Sequence, residues 1–236
     1  MFDLSEQAFV IAEAGTCHAT PENNRRLGFA MRYVHAAHDA GADACKFQMF
    51  DNTDLFCPYP GDEQRRPRWN DSWMHLDDWR QVKEFTEACG MVFLASVFQH
   101  SMVEVLNELK VEATKVASRA AKSFPYKDAP KPLLTSLGMF SVEDLSAPHW
   151  DRIEFECESK YPSTKCWSGE HTGFSDHSGT PWRAIDAISR GCKLIEVHFY
   201  IDPLDAGPDF PASLNLDELK LVCEARDAFA ELRRDE

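Results

Sequence analysis

The stretch KLIEVHFYIDP, residues 193–203, decides the fold. It is a short apolar run of strand length that ends on an imidazole, His198, and then a turn. GFSDHSG, residues 173–179, has the same form and ends on His177. Working outward, short apolar runs recur at 9–12, 44–47, 92–95, 113–116, 133–136 and 153–157; with 172–174 and 194–197 they make eight, the number a closed parallel barrel requires. Two imidazoles at the ends of neighbouring strands converge readily on one divalent ion, because neutral imidazole suits metals such as Mn²⁺ or Zn²⁺. The pair predicts a metal-assisted enzyme.

The segments between the runs carry helix signals. Thr20-Pro21 sets a capping hydroxyl before a proline at the first helical position and predicts a helix reaching Gly41, with Leu27, Met31, Val34 and Ala37 on one face. His35 and His38 on that helix are read as surface or packing residues, since neither lies at a strand end. Further helices are predicted at 76–89, stopped by Gly90, at 101–109 and at 216–234. Segments 140–152, with Pro148, and 159–171 are too turn-rich for full helices. The expected fold is therefore α/β, a (β/α)8 TIM barrel with some shortened helices in its C-terminal half. At 236 residues the whole chain, 1–236, fits one such domain, since these barrels run to about 250 residues.

One connection is longer than a barrel needs. Residues 48–75 hold Pro58, Pro60 and Pro67, the arginines 65, 66 and 68, and two tryptophans, Trp69 and Trp73. Such a segment is either a lid over the site or a flap covering the barrel wall.

Composition narrows the function. A formal net charge of −14 argues against nucleic acid, whose binders carry a basic face. The eight cysteines contain no C-x-x-C pair and several sit in buried-looking strands, as reduced thiols of a cytoplasmic enzyme do. The N-terminus lacks the basic start and apolar core of a signal peptide, and no stretch approaches membrane-spanning length, so the expectation is a cytoplasmic protein with no membrane partner.

On a parallel barrel the chemistry gathers at the carboxyl ends of the strands. Following each run to that edge gives Glu13, Lys46 with Gln48, Ser96, Lys115 with Ser118, Ser136, Ser159 with Tyr161, Ser175 with His177, and Glu196 with His198. Two ammonium groups, several hydroxyls, carboxylates and two imidazoles suit an anionic, phosphate-bearing substrate held beside a metal. Each residue alone has a plainer explanation: a lysine reaching solvent, a histidine bonded in the core, a serine forming a turn. Their shared placement at successive strand ends is what independent surface residues would not show.

These residues lie in a series of motifs: FVIAEAGTCH (9–18), AGADACKFQMF (40–50), ATKVASRA (113–120), LLTSLGM (133–139), YPS (161–163), GFSDHSG (173–179) and EVHFYIDPLDAGPDFPASL (196–214). In order and near-spacing the set resembles the sialic acid synthases. That resemblance implies a TIM barrel condensing phosphoenolpyruvate with an aldehyde sugar such as N-acetylmannosamine, with release of phosphate. Carried over by motif position, His177 and His198 hold a divalent metal, Mn²⁺ first, with Mg²⁺ or Co²⁺ as alternatives. Lys46, Ser96, Lys115, Ser118, Ser136 and Ser175 bind phosphoenolpyruvate, and Gln48 and Tyr161 approach the acceptor. Asp209 lies near the metal water or the sugar, and Glu13 is the acid/base group.

Departures from the family pattern bear on the acceptor. Cys17 stands where the family usually has asparagine, Arg119 and Ala120 where it tends to place glycine and an acidic residue, and Ser159 and Lys160 where it has asparagine and an apolar residue. Arg119 is read either as a site for an extra anionic group or as a rim salt bridge. Bacterial members carry a C-terminal antifreeze-like domain that completes the sugar site, and this sequence stops at Glu236. Arg65, Arg66 or Arg68, or a separate lid-domain polypeptide, would stand in for its arginine, and homo-oligomer formation is left open. Two alternatives remain at this level: a metal-dependent aldolase or lyase on another keto acid, and a non-catalytic barrel that binds a sugar acid.

Overall fold

Alternation with period two along each run decides which side chains enter the barrel. The computed structural model describes residues 7–51, 63–145 and 152–234. Eight parallel strands pair in chain order and close through β1 on β8: β1 Phe9–Gly15, β2 Ala44–Met49, β3 Val92–Val97, β4 Thr114–Val116, β5 Leu133–Ser136, β6 Arg152–Glu156, β7 Gly173–Asp176 and β8 Leu194–Phe199. A two-residue β9, Ser213–Leu214, adds to β8. All eight expected strands are present.

Two apolar clusters sit on opposite sides of this wall. Ile11, Ala44, Leu94, Ala113, Leu134, Phe155 and Leu194 point inward and plug the barrel. Their alternates, among them Val10, Cys45, Phe93, Val116, Leu133, Phe174 and Ile195, face outward into the layer packed by helices. Each buried valine, leucine, isoleucine or phenylalanine side chain among them contributes about 1.5–3 kcal/mol. Gly173 is required by the plug: a Cβ there would come within 2.7 Å of the Phe155 ring.

The helices are α1 Asn23–Asp39, α2 Arg66–Ser72, α3 Leu76–Ala88, α4 His100–Leu109, α5 Pro181–Ser189 and α6 Leu216–Arg234. Four answer to predicted segments, with differences. The first begins at Asn23 instead of just after Thr20, because Thr20 is tied elsewhere: its N–H donates to the Asp71 carbonyl at 3.0 Å and its carbonyl accepts from Arg26 Nε at 2.8 Å. Its buried face is Arg26, Ala30, Tyr33, Val34 and Ala37, so Leu27 and Met31 of the expected face are only partly buried. His35 and His38 are exposed. Helix α5, which was not anticipated, starts with Pro181 after Thr180 and packs on α6.

Segment 48–75 is not a simple loop: a 3-10 turn, Glu63–Arg65, leads into α2, and Trp69 is buried. Pro58 and Pro60 fall outside the described residues. The far side is trimmed as expected. No α-helix separates β4 from β5 or β6 from β7, and the described part of 140–152 holds only the 3-10 turn Val142–Asp144. Pro148 is outside the described residues. All seven described cysteines are free, and no described helix is long and apolar enough to cross a membrane.

Candidate active site

One step along each strand from the plug, the inward positions turn polar: Glu13, Lys46, Ser96, Lys115, Ser136, Ser175 and Glu196. Register sets them at one height, with Glu13 beside Lys46, Ser96 beside Lys115 and Ser175 beside Glu196. Above them opens a cavity of about 360 Å³. All twelve residues to which the resemblance gives a role line it: Glu13, Lys46, Gln48, Ser96, Lys115, Ser118, Ser136, Tyr161, Ser175, His177, His198 and Asp209, and so do Ser159 and Glu196 from the strand-end pattern.

The floor is an ion network with matched charges. Lys46 Nζ lies 2.6 Å from Glu13 and 3.6 Å from Glu196, and donates to Ser96 Oγ at 3.0 Å. Lys115 Nζ lies 3.1 Å from Glu196 and donates to Ser136 Oγ at 2.8 Å. Burial alone would raise Glu196, but Lys115, Lys46 and the Ser175 hydroxyl outweigh it and hold the carboxyl well below the usual range. Burial would lower Lys46, yet Glu13 and Glu196 more than compensate. In Lys115 burial prevails and the ammonium is lowered. Glu196 is thus the hub of the floor, a role the strand-end pattern did not disclose.

His177 Nδ1 lies 2.7 Å from the Glu158 carbonyl, which can only accept, so Nδ1 carries the proton and Nε2 keeps its lone pair. That Nε2 is 3.2 Å from Ser175 Oγ, but the serine directs its single proton to Glu196 Oε1 at 2.6 Å. The imidazole therefore presents an unsatisfied lone pair inside the cavity. Burial, with His198 beside it, pulls its pKa down to about 4. The His198 ring centroid is 5.4 Å away, and Tyr161 packs against both rings, at 4.7 Å from His177 and 5.8 Å from His198. Burial and nearby carboxylates, Asp209 first, keep the Tyr161 phenol well above its usual range and hence protonated.

Gln48 Nε2 bridges Glu13 at 3.3 Å and Asp209 at 3.4 Å. Opposite, Ser118 Oγ is buried without a hydrogen-bond partner. Gly138 leaves room beside it: a Cβ there would meet Cys157 Sγ at 2.6 Å, Ser159 Oγ at 2.8 Å and Ser118 Oγ at 3.2 Å.

Of the three loop arginines, Arg65 lines the cavity. Arg68 instead donates to Thr16 Oγ1 at 2.7 Å and to the Asp205 carbonyl. Arg66 is not among the lining residues. Trp69, from the segment read as a lid or flap, lines the cavity; Phe50, Phe98 and Met139 also line it and were not anticipated, Phe50 and Phe98 merely following strands, a position that carries no chemical signal. His18 belongs to the core, bonded through Nε2 to the Ser72 carbonyl at 2.8 Å and packed on Phe47 and Trp79.

A family model described as the NeuB family matches residues 33–168 and 164–235. The chain belongs to the NeuB family. The likeness drawn from the motifs is thereby established for the family, the sialic acid synthases, and with it the chain's standing as an enzyme. Among relatives of this NeuB-family chain, N,N'-diacetyllegionaminic acid synthase of Campylobacter jejuni is 26% identical over 92% of this chain and 75% of its own length. Human N-acetylneuraminate-9-phosphate synthase is 29% identical over 89% and 67%. The solved structure of an N-acetylneuraminic acid synthetase from Leptospira borgpetersenii shares the fold, with a TM-score of 0.77 at 22% identity over 96% of this chain and 85% of that one.

Proposed function

We propose that the enzyme condenses phosphoenolpyruvate with an aldehyde sugar and water to give a nonulosonic acid and inorganic phosphate, with a divalent ion held by His177 and His198. The observation that carries this reading is the floor: two ammonium groups, each matched by its own carboxylate, beneath two adjacent imidazoles. The names of the relatives, synthases of legionaminic, pseudaminic and neuraminic acids, support the product class.

The residues fit a metal. His177 keeps its Nε2 lone pair unsatisfied, and the Glu158 carbonyl on Nδ1 is the outer partner that metal-ligating histidines normally have. Among the described residues, the one set of three candidate ligands within 4.8 Å of one another is the exposed His35, His38 and Asp39, so the imidazole pair would be completed by water or substrate. Bound there, the ion would supply Lewis-acid polarisation of the acceptor aldehyde. Mn²⁺ is the first candidate.

The chain's own residues account for the rest. Because Lys46 and Lys115 are already matched, they orient phosphoenolpyruvate without carrying its whole charge, roughly −2.5 to −3 at neutral pH. Hydroxyls of Ser96, Ser118 and Ser136 bind its oxygens, and Ser175 would join them by turning its proton from Glu196. C3 of the enol forms the new carbon–carbon bond to the aldehyde carbon as the carbonyl π pair moves onto oxygen, which takes up a proton to become a hydroxyl, leaving a cationic C2. Water adds to C2 and gives its proton to Glu13 or Asp209, which Gln48 holds side by side. Loss of phosphate from that carbon then yields the keto acid. The rate gain comes from positioning and electrostatics. We also propose that residues 1–236 act as one barrel domain, with the segment around α2 as a wall of the mouth, and that the enzyme works in the cytoplasm.

The test is phosphate release from phosphoenolpyruvate with a panel of aldehyde sugars, with and without Mn²⁺. Release requiring both acceptor and metal is expected. His177→Ala and His198→Ala should each lose bound metal while keeping the wild-type circular dichroism spectrum. Wild-type metal content in both variants, or release without acceptor, would overturn the proposal.

A further inference from the structure

Helix α1 ends in a cluster that the barrel chemistry does not use. His35, His38 and Asp39 stand at positions i, i+3 and i+4, the spacing that brings side chains together on one face of a helix. All three are exposed, outside the buried stripe of Arg26, Ala30, Tyr33, Val34 and Ala37. One ligand atom from each lies within 4.8 Å of the other two.

The separations have the size that a shared ion would impose. Asp39 Oδ1 is 3.4 Å from Nδ1 of His35 and 3.4 Å from Nδ1 of His38. Both values exceed the about 2.7–3.2 Å of an N–H···O hydrogen bond. A tetrahedral ion with bonds of about 2.0–2.1 Å sets its ligand atoms about 3.3–3.4 Å apart, which is the spacing found. Two imidazoles with one carboxylate are a zinc donor set, whereas Mg²⁺ and Mn²⁺ favour all-oxygen surroundings.

The place of the cluster adds to the attraction. It occupies the last turn of α1, where the helix dipole presents its negative end. The formal net charge of −14 draws cations from further away. Beside the cluster a groove of about 330 Å³ lies between α1 and the start of α6, lined by His35 and Asp39 with Ile201, Leu216, Asp217 and Lys220. The two side-chain cations of this groove have other partners: Lys220 lies 3.8 Å from Glu224, and Arg32 is over the Phe29 ring at 5.7 Å. An ion held by the three side chains would border the groove, leaving its fourth position to water or a small ligand.

We infer that His35, His38 and Asp39 form a metal site that takes Zn²⁺ through two imidazole nitrogens and one carboxylate oxygen. It is separate from the barrel cavity, with which it shares no lining residue, and it stands independently of the condensation proposed above. The three ligands meet only when the chain is helical, so the ion binds the folded protein and stabilises it.

The experiment titrates Zn²⁺ against a chromophoric chelator on the untagged full chain, in the wild type and in the His177→Ala/His198→Ala double variant. Both should show a site with a dissociation constant below about 100 µM. In either background His35→Ala, His38→Ala and Asp39→Ala should each weaken that site at least about tenfold, with circular dichroism as in the parent. Zn²⁺ should raise the melting temperature of the parent and not of the Asp39 variant. X-ray absorption of the zinc-loaded chain should show nitrogen and oxygen neighbours at about 2.0–2.1 Å. A site weaker than about 100 µM overturns the inference, as does an affinity that the three substitutions leave unchanged. Sulfur neighbours at about 2.3 Å also overturn it, because the ion would then belong to a thiol such as the exposed Cys166. Loss of zinc only in the double variant would assign the ion to the barrel and would equally sink the site on α1.

Discussion

Two layers of the barrel interior lie two residues apart on the same strands and have opposite chemistry. The lower holds Ile11, Ala44, Leu94, Ala113, Leu134 and Leu194; the upper holds Glu13, Lys46, Ser96, Lys115, Ser136 and Glu196. Both are closed to solvent, with every one of these side chains at most 3% exposed. The lower layer is stable however its members are interchanged, provided volume is kept. The upper layer has no such tolerance, because each ion there has lost its water and is held by particular partners. A barrel thus separates what keeps it folded from what makes it useful by a single period of the strand.

Removing the hub of the upper layer should break this contrast most severely. Glu196→Ala leaves the buried Lys115 ammonium without its carboxylate, while Lys46 keeps Glu13, and we expect a loss of about 3–5 kcal/mol of stability in urea unfolding together with loss of synthase activity. Leu94→Ala, in the lower layer beneath Ser96, should cost about 2–5 kcal/mol through the cavity it leaves, yet keep the wild-type KM for phosphoenolpyruvate. Wild-type stability in the Glu196 variant would show that the ion network is not what sets the upper layer.

Acid sharpens the comparison, because only the upper layer and its rim titrate. His177 has a folded pKa of about 4 against an ordinary 6.5, so the unfolded chain binds more protons in that window, and its contribution to stability falls as pH drops from about 6.5 to about 4. Glu196, depressed in the fold, adds a further loss as its carboxylate protonates at lower pH. Asp176 works in the opposite sense: burial raises it to about 6, so it favours the fold on acidification. The difference between wild type and His177→Ala across pH 4 to 6.5 isolates the imidazole. A pH-independent difference between the two would contradict the neutral, buried ring.

Ser118→Ala is the smallest expected effect. Its buried hydroxyl has no hydrogen-bond partner, so stability should not fall, while the KM for phosphoenolpyruvate should rise by about tenfold, the worth of one hydrogen bond to a charged group. A stability loss with unchanged KM would make Ser118 a structural residue.

Much of this was legible in the sequence because strand alternation is local. The two lysines and the imidazole pair fall in phase by counting, and phase alone places them at the mouth. Helix starts were less legible. Thr20-Pro21 and Thr180-Pro181 are the same dipeptide, yet a helix begins at Pro181 and only at Asn23 after the other. Thr20 is engaged by Asp71 of a distant segment and by Arg26 of the helix itself, contacts that outweigh the capping preference. Likewise nothing in the spacing separates Arg65, in the cavity wall, from Arg68, turned to Thr16 and Asp205.

The sequence by itself determined the number of strands, their inward faces and the polar residues that crown them, because each depends on a period of two along one strand. Tertiary structure alone decided that Glu196 lies between both lysines, that the Glu158 carbonyl fixes the His177 tautomer, and that α2 brings Trp69 onto Phe50. The Glu196–Lys115 pair spans β8 and β4 across the barrel and the other two join segments that pack at its mouth, so the distances are set by closure and packing, which no local pattern encodes.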